Sequence, residues 1–455
     1  MTTDAYQAFL ASKRRAAPSA GRPVTTADTH STLHPWQSEI VAWAANRGRA
    51  AIFADCGLGK TFMQLEWARL IADRTLILAP LSVARQTSRE AVKLGAEVRY
   101  VRDGSEVTGD GVWITNYEMA DRFDPSLFGA VVLDESSILK NNGTDRFDPS
   151  LFGAVVLDES SILKNNTGAT RNQLVNQWKD TPYRLACTAT PAPNDVAELC
   201  NHAEFLGIMP RNEMLAAYFV HDEDGWRLKG HARRPMYEWM ATWAAAVRRP
   251  SDLGYSDDGY TLPPLTITPE IVDVEITPEG QLFATDLGGV GGRAAIRRHT
   301  LDARVDVAVD LAQLPGQWIV WCGLNDEAAA VAAAVDGAVN VDGSMTPDAK
   351  AEALEAFQDG AIRVLVTKPV IAGFGMNFQN CHRMVFVGLS DSYESYYQAI
   401  RRCYRFGQQH PVDVRIVVSA LEQQIVQNVA RKEAEAETSS AELVRYSPIR
   451  KAQPT

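Results

Sequence analysis

The sequence predicts an α/β protein of two parallel-sheet lobes with an accessory insertion between them. Three observations carry this. From residue 49 onward, short and nearly unbroken apolar runs alternate with helical patterns, as in βαβ units whose strands are buried on both faces. The runs fall into two sets, 49–189 and 317–419. Between the sets, over about 205–270, the texture changes to Trp, Tyr and Arg.

Residues 1–30 read as a short basic helix and a connector rich in Pro, Ser, Thr and Ala. The first lobe spans 31–210, with strands expected at RAAIFAD (49–55), TLILAP (75–80), VWITNY (112–117), AVVLDE and YRLACTA (183–189). Residues 211–270 form the insertion and end in SDDGYTLPPLTITPE, whose Gly and Pro read as a linker. Within it Trp239 and Trp243, four apart, are expected in the core. The second lobe spans 271–430, with strands at QWIVWCGL (317–324), IRVLVTKP (362–369), RMVFVGL (383–389) and VDVRIVVS (412–419). Residues 431–455 form a tail.

Of the 455 residues, 46% are hydrophobic, enough for large cores. No stretch approaches the ~18–20 uninterrupted apolar residues of a membrane span, and the N-terminal segment lacks the apolar run of a signal peptide. The six cysteines form no CxxC pair, which argues against a zinc site or disulfide frame and for a reducing cytoplasm. With a net charge of −11 the surface repels phosphate, so a nucleic-acid site has to be a local basic groove. Segment 226–250 is the candidate. It carries six Lys or Arg against one Glu, and Arg233, Arg234, Arg248 and Arg249 could neutralise backbone phosphates.

The chemistry is concentrated in three places. The strand AAIF runs into Ala54-Asp-Cys-Gly57-Leu-Gly59-Lys60-Thr61 and then into a helical pattern. Glycines let backbone N–H groups turn inward around phosphates, and the helix N-terminus adds its positive end. Lys60 is expected on the β- and γ-phosphates of ATP, and the Thr61 hydroxyl on Mg2+. An acidic pair ending a neighbouring buried strand completes such a site, the Asp holding Mg2+ and the Glu activating water. In the other lobe Arg402 and Arg405 stand three apart, on one face if helical, as candidate arginine fingers.

The acidic pair occurs twice. Residues 121–142, DRFDPSLFGAVVLDESSILKNN, recur unchanged at 145–166 and give both Asp134–Glu135 and Asp158–Glu159. A doubly wound sheet has one slot beside the phosphate-loop strand. One copy is therefore expected there, with the other extruded or added at an edge. The second copy keeps its link through LKNNTGAT into the following helix. Asp158 and Glu159 are accordingly expected to be the working pair, with Asp134 and Glu135 as the surplus copy.

In order and spacing these pieces resemble the superfamily-two helicases, most closely the Swi/Snf-type branch, over about 34–425. His34-Pro35-Trp36-Gln37 is similar to the Q-motif, ADCGLGKT to motif I, Ala79-Pro80-Leu81-Ser82 to motif Ia and Ile114-Thr115-Asn116-Tyr117-Glu118 to motif Ib. LDESSILKN resembles motif II, with Ser-Ser where many relatives carry Ala-His, and Cys187-Thr188-Ala189-Thr190-Pro191 resembles motif III. Gly373-Phe374-Gly375-Met376-Asn377-Phe378 is similar to motif V and QAIRRCYRFGQ to motif VI. The resemblance implies two RecA-like lobes with an ATP cleft between them. It implies a motor that uses ATP and Mg2+ on nucleic acid, DNA more than RNA and duplex DNA above all. Gln37 would then read adenine beside the Gly57–Gly59 loop, and Thr188 and Thr190 would couple hydrolysis to nucleic-acid contact. Ser82, Tyr117 and Asn377 would touch the nucleic acid. Compact bacteriophage helicases are similar in carrying this core with few extra domains, which would place the protein in a host cytoplasm. Two further functions fit the same residues: a motor subunit of a restriction or remodelling assembly, and a nucleic-acid-binding scaffold with an impaired ATP site.

Overall fold

The computed structural model describes residues 17, 19–93, 97–134, 148–164, 168–223, 225–273, 297–372, 375–390 and 392–449. The basic helix expected near the N-terminus, Glu135, Gly373, Phe374 and the last residues of the tail lie outside these. The chain forms two units. Residues 1–80, 84–258 and 435–455 make the first, and 81–83 and 259–434 the second.

The β-branched runs of the first unit become β1 (Arg49–Ala54), β2 (Arg74–Ala79), β3 (Val98–Tyr100), β4 (Gly111–Asn116), β5 (Ala130–Leu133), β6 (Ala154–Leu157) and β7 (Tyr183–Thr188). β8 (Phe219–Asp222) and β9 (Gly225–Leu228) form a separate antiparallel hairpin. β10 (Ala244–Val247) then returns to the main sheet, whose order is β10-β1-β7-β6-β5-β2-β4-β3 with every pair parallel. One face of this sheet, with Phe53, Leu133, Leu157 and Ala186, shares a core with Phe205, Trp239 and Trp243. Both tryptophans are thus core residues. The end of the helix Gln423–Arg445 belongs to this unit too. There Tyr446 stacks on Tyr237 at 6.3 Å and Ser439 meets the Tyr237 hydroxyl at 3.4 Å.

The duplication departs from expectation. Neither copy is extruded, neither lies at an edge and neither pairs with the phosphate-loop strand, whose neighbours are β7 and β10: β5 and β6 are the two copies, paired in register from Ala130↔Ala154 to Leu133↔Leu157. β6 takes the place beside β7, and β5 is wedged between β6 and β2. The reason is hydrogen-bond accounting. A strand whose side chains suit burial on both faces, inserted in the interior of a parallel sheet, finds partners along both of its edges. At an edge, one row of N–H and C=O groups would be left over. The copies also fold alike locally. Asp124 and Asp148 each cap a short 3-10 turn, accepting from the amides of Ser126 and Ser150 at 2.9 and 3.0 Å.

In the second unit the strands are β11 (Leu265–Val272), β12 (Trp318–Cys322), β13 (Ala338–Val341), β14 (Val364–Thr367), β15 (Arg383–Val387) and β16 (Val412–Ser419). Their order is β11-β16-β15-β12-β14-β13, again all parallel. The two units are therefore parallel-sheet α/β domains, as tandem RecA-like lobes require. Part of the run read as a linker is β11. Pro269 is tolerated there because β11 is an edge strand, where one row of backbone groups has no ladder partner. Beneath the sheet lies a buried ion pair. Arg304 Nη1 donates to Glu327 Oε1 at 2.6 Å, and Glu327 Oε2 accepts the amides of Gly323 and Leu324, both at 2.9 Å.

Because the copies are identical, removing 121–144 and removing 143–166 leave the same sequence. That single deletion variant is expected to fold with one strand fewer between β7 and β2. In urea it should unfold cooperatively, at a midpoint no lower than that of the full chain. Insolubility, or loss of a cooperative transition, would show that the first sheet depends on both strands.

Candidate functional site

β1 delivers the chain into the loop Asp55–Gly59, and the helix Lys60–Ile71 leaves it. Gly57 and Gly59 have φ of 84° and 75°, a region in which only glycine is unstrained. A Cβ at Gly59 would also stand 2.5 Å from Gln37 Nε2. Gln37, expected to face adenine, braces this loop: Nε2 donates to the Leu58 carbonyl at 2.9 Å and Oε1 accepts from the His34 amide at 2.9 Å. Lys60 caps the end of β1, donating to the Ala54 carbonyl at 2.9 Å. Burial alone pulls the Lys60 pKa down. Cys56, Glu159, Asp158 and Asp55 more than offset that, so the pKa is raised and the ammonium stays charged.

The second acidic copy converges on this loop. Asp158 Oδ1 accepts from Gln64 Nε2 at 2.6 Å, and Gln64 lies one helical turn beyond Lys60. Glu159 Oε2 accepts from the Thr188 hydroxyl at 3.1 Å, and that hydroxyl also accepts the Thr190 amide at 3.1 Å. Glu159 has φ of 46°, the one positive value of a non-glycine among the described residues. Such a backbone costs on the order of 1–3 kcal/mol and persists only where the surroundings hold it. The next residue, Ser160, meets His202 Nε2 at 3.1 Å, and the His202 ring stands edge-on to Phe53 at 5.3 Å. The first copy's Asp134 is buried one strand away, and its carbonyl accepts from the Tyr117 hydroxyl at 2.7 Å.

Other expected site residues are more scattered. Tyr117 is buried, whereas Ser82 is half-buried near the start of the helix Leu81–Lys93. Arg233 and Arg234 open the helix Arg233–Met240 and pair with Glu442 at 3.8 Å and Glu238 at 2.7 Å. Arg248 and Arg249 instead follow β10, next to the phosphate loop, since the Asp55 amide donates to the Val247 carbonyl at 3.0 Å. Both lie 3.8 Å from Asp252. The four arginines are thus two separate pairs. In the second unit Arg402 is buried, with Nη1 on the Met376 carbonyl at 3.3 Å and Nε on the Gln398 carbonyl at 3.2 Å. Arg405 is half-exposed, and Asn377 Oδ1 accepts the Gln379 amide at 3.3 Å.

Two members of the constellation escape the sequence patterns, Gln64 and His202, while Ser160 lies in the motif II match with no role foreseen for it. Only Gln64 carries a usable signal, its i+4 spacing from Lys60 on the phosphate-loop helix.

Two family profiles match the chain. The SNF2-related domain covers residues 29–219 and the Helicase conserved C-terminal domain covers residues 305–407. No curated protein matches it. The two matched regions cover the phosphate loop with its acids and the arginine-bearing segment.

The buried imidazole makes a pH prediction. Burial pushes the His202 pKa from 6.5 down to about 4, with the Glu198 carbonyl acting in the opposite direction. Between those values the unfolded chain binds a proton that the folded chain refuses. This contribution to stability is therefore complete above pH 6.5 and shrinks as the pH falls towards 4. His202→Gln should remove that component, about 3 kcal/mol between neutral and acid pH. Urea denaturation of both proteins across this range is the check; parallel stability profiles would show that His202 does not carry it.

Proposed function

The chain belongs to the Swi/Snf-type branch of the superfamily-two helicases, and on that premise we propose that it hydrolyses ATP with Mg2+ and moves along duplex DNA. The helicase/translocase-type ATPase family is given by the two matched domains. The observation that supports hydrolysis in this chain is the convergence of Lys60, Asp158 and Glu159 on one glycine loop, with Lys60 charged by its acidic neighbours.

In this reading the loop amides and the N-terminus of the helix Lys60–Ile71 hold the phosphates. Lys60 exchanges the Ala54 carbonyl for the β- and γ-phosphate oxygens. The Thr61 hydroxyl and the Asp158 carboxylate are hard oxygen donors of the kind Mg2+ takes alongside substrate phosphates. Bound there, Mg2+ would neutralise charge developing on the transferred phosphoryl. Gln64 fixes the Asp158 carboxylate through its 2.6 Å bond. Glu159 takes the proton of the attacking water, and Thr188 holds the carboxylate's other side. Thr190, hydrogen-bonded to that same hydroxyl, carries the state of the site towards the nucleic acid. A mostly polar cavity of about 290 Å3, with Thr26, His30, Ser38, Glu39 and Tyr255 in its lining, borders the helix that bears Gln37 and is the place assigned to the adenine. Arg402 and Arg405 are the cations assigned to the transferred phosphoryl. Arg248 and Arg249, Ser82 and Asn377 are assigned to backbone phosphates of the DNA, with Arg233 and Arg234 as a second group.

The test is ATP hydrolysis by the purified chain alone and with single- or double-stranded DNA, duplex being expected to stimulate most. Lys60→Ala should lower kcat by at least about 10²-fold, the scale of one lost preorganised electrostatic contact. Turnover like that of the wild type in this variant would overturn the assignment. The duplicated acids are compared in the same assay. Glu159→Gln is expected to be inactive and Glu135→Gln close to wild type, and the reverse pattern would move the working site to the first copy.

A further inference from the structure

The loop after β6 is gripped from outside any of the motifs. Glu159 holds its left-handed backbone while its carboxylate binds Thr188. Thr188 pairs in register with Phe53 of β1, the Phe53 ring meets the edge of His202, and His202 Nε2 meets the Ser160 hydroxyl beside Glu159. Phe53, Thr188, Glu159, Ser160 and His202 therefore form a closed circuit joining β1, β7, the acidic loop and the helix Leu199–Phe205. The same helix holds the loop at a second point, where Asn201 Nδ2 donates to the Lys164 carbonyl at 3.4 Å. Ser160, Thr188 and His202 are wholly buried, so water does not compete for these bonds. The acidic loop has no imidazole of its own, because it reads Ser160-Ser161. The imidazole at this loop comes from a helix more than one element away.

We propose that His202 is a positioning residue, which through Ser160 holds the Glu159 backbone in the conformation that keeps its carboxylate on Thr188 and aimed at the phosphate loop. This rests on the reading of Glu159 as the group that activates water. It adds a residue to that site for which neither the glycine loop nor the acidic pair calls. The role is geometric: the loss of His202 should misplace the carboxylate without removing any phosphate contact. A misplacement of about 1 Å at a reacting group is enough to cost on the order of 10²-fold in rate.

The experiment uses the full chain with ATP and saturating duplex DNA, and measures kcat, KM, the affinity for a fluorescent ATP analogue and the melting midpoint. Ser160→Ala removes one hydroxyl and little else, so its fold is kept. It should lose between about 10- and 10²-fold in kcat, with KM and analogue affinity unchanged within about twofold and the midpoint nearly unmoved. His202→Ala should lose a similar factor. His202→Gln, whose amide can reach the Ser160 hydroxyl, should recover most of it. The double variant of Ser160→Ala with His202→Ala should be no slower than the worse single one, since both break one contact. Wild-type kcat in Ser160→Ala, or losses that track the melting midpoint with no recovery in His202→Gln, would overturn the role of His202 and leave the hydrolase reading intact. A wild-type chain that binds the analogue but shows no turnover sensitive to Lys60→Ala would overturn both.

Discussion

The parallel pairing of β6 with β7 is the constraint on which the first unit's site depends. Its ladder, Ala154↔Tyr183 to Leu157↔Ala186, brings Asp158 and Glu159 out of the sheet level with Thr188. The pairing of β7 with β1 carries that level on to Phe53 and the start of the glycine loop. Parallel strands all end on one side of a sheet, so groups that follow them are gathered at one rim although they are far apart in sequence. The strands supply the rigidity and the loops supply the charge. Desolvation works against Lys60 there, and its acidic neighbours more than compensate. The ammonium and the acids therefore have to be assembled together, because a charge buried alone would be costly.

Against that frame the duplicated strand has a defined mechanical effect. The second copy occupies the position beside β7, while the first copy separates β6 from β2. One added strand moves everything beyond it by one inter-strand spacing, about 4.8 Å. The strands that lead into motif Ia and motif Ib, β2 and β4, are thus one strand further from Thr188 than a sheet with a single copy would put them. Tyr117, at the end of β4, has its hydroxyl on the carbonyl of Asp134 in the first copy. The insertion leaves the phosphate loop and its acids in mutual contact, and what it changes is the distance between that chemistry and the elements assigned to nucleic acid.

Much of this could be read in advance, for reasons that particular residues make plain. Runs such as RTLILA and RMVFV became β2 and β15 because β-branched and leucine side chains over a full strand leave few other ways to be buried. The glycine loop was legible because its spacing is dictated by phosphate geometry. β10 was not, because Ala244, Ala245, Ala246 and Val247 carry as much helical as strand preference, and its partner β1 lies far back in sequence. β11 was hidden by Pro269, which is admissible only once the strand is known to be an edge. The link after the second AVVL copy pointed to Asp158 and Glu159, but the interior place of the first copy could not be read. Identical strands have identical preferences, and which neighbours they take depends on the links at each end. His202 was invisible for a different reason. A lone histidine in a short helix buried nearly all round carries no spacing signal, and its role follows only from the contact with Ser160.

The arginines show how an acidic chain can present cations without a general basic coat. Arg233 faces Glu442, Arg234 faces Glu238, and Arg248 and Arg249 share Asp252, with Asp257 also 3.9 Å from Arg249. The arginine heads are exposed, but Asp252 is only 8% exposed; the exposed Arg234–Glu238 pair contributes little to stability and is weakened by salt. Arg234 can exchange its partner for phosphate at small cost, whereas Asp252 keeps the Arg248 and Arg249 amides at 2.8 and 3.1 Å whatever their side chains do. Until such an exchange the pairs mute the positive field that would otherwise recruit any polyanion. Arg248 and Arg249 differ from the other pair in place. They follow the strand that hydrogen-bonds to β1, and the Asp55 amide of the phosphate loop is bonded to the Val247 carbonyl just before them. A phosphate that drew these two arginines away from Asp252 would therefore pull on backbone continuous with the glycine loop. The helix Arg233–Met240 has no such bond to the loop among those described. The two pairs are thereby distinguished by place: under the proposed function, Arg248 and Arg249 are the ones joined to the nucleotide site through the β10–β1 ladder.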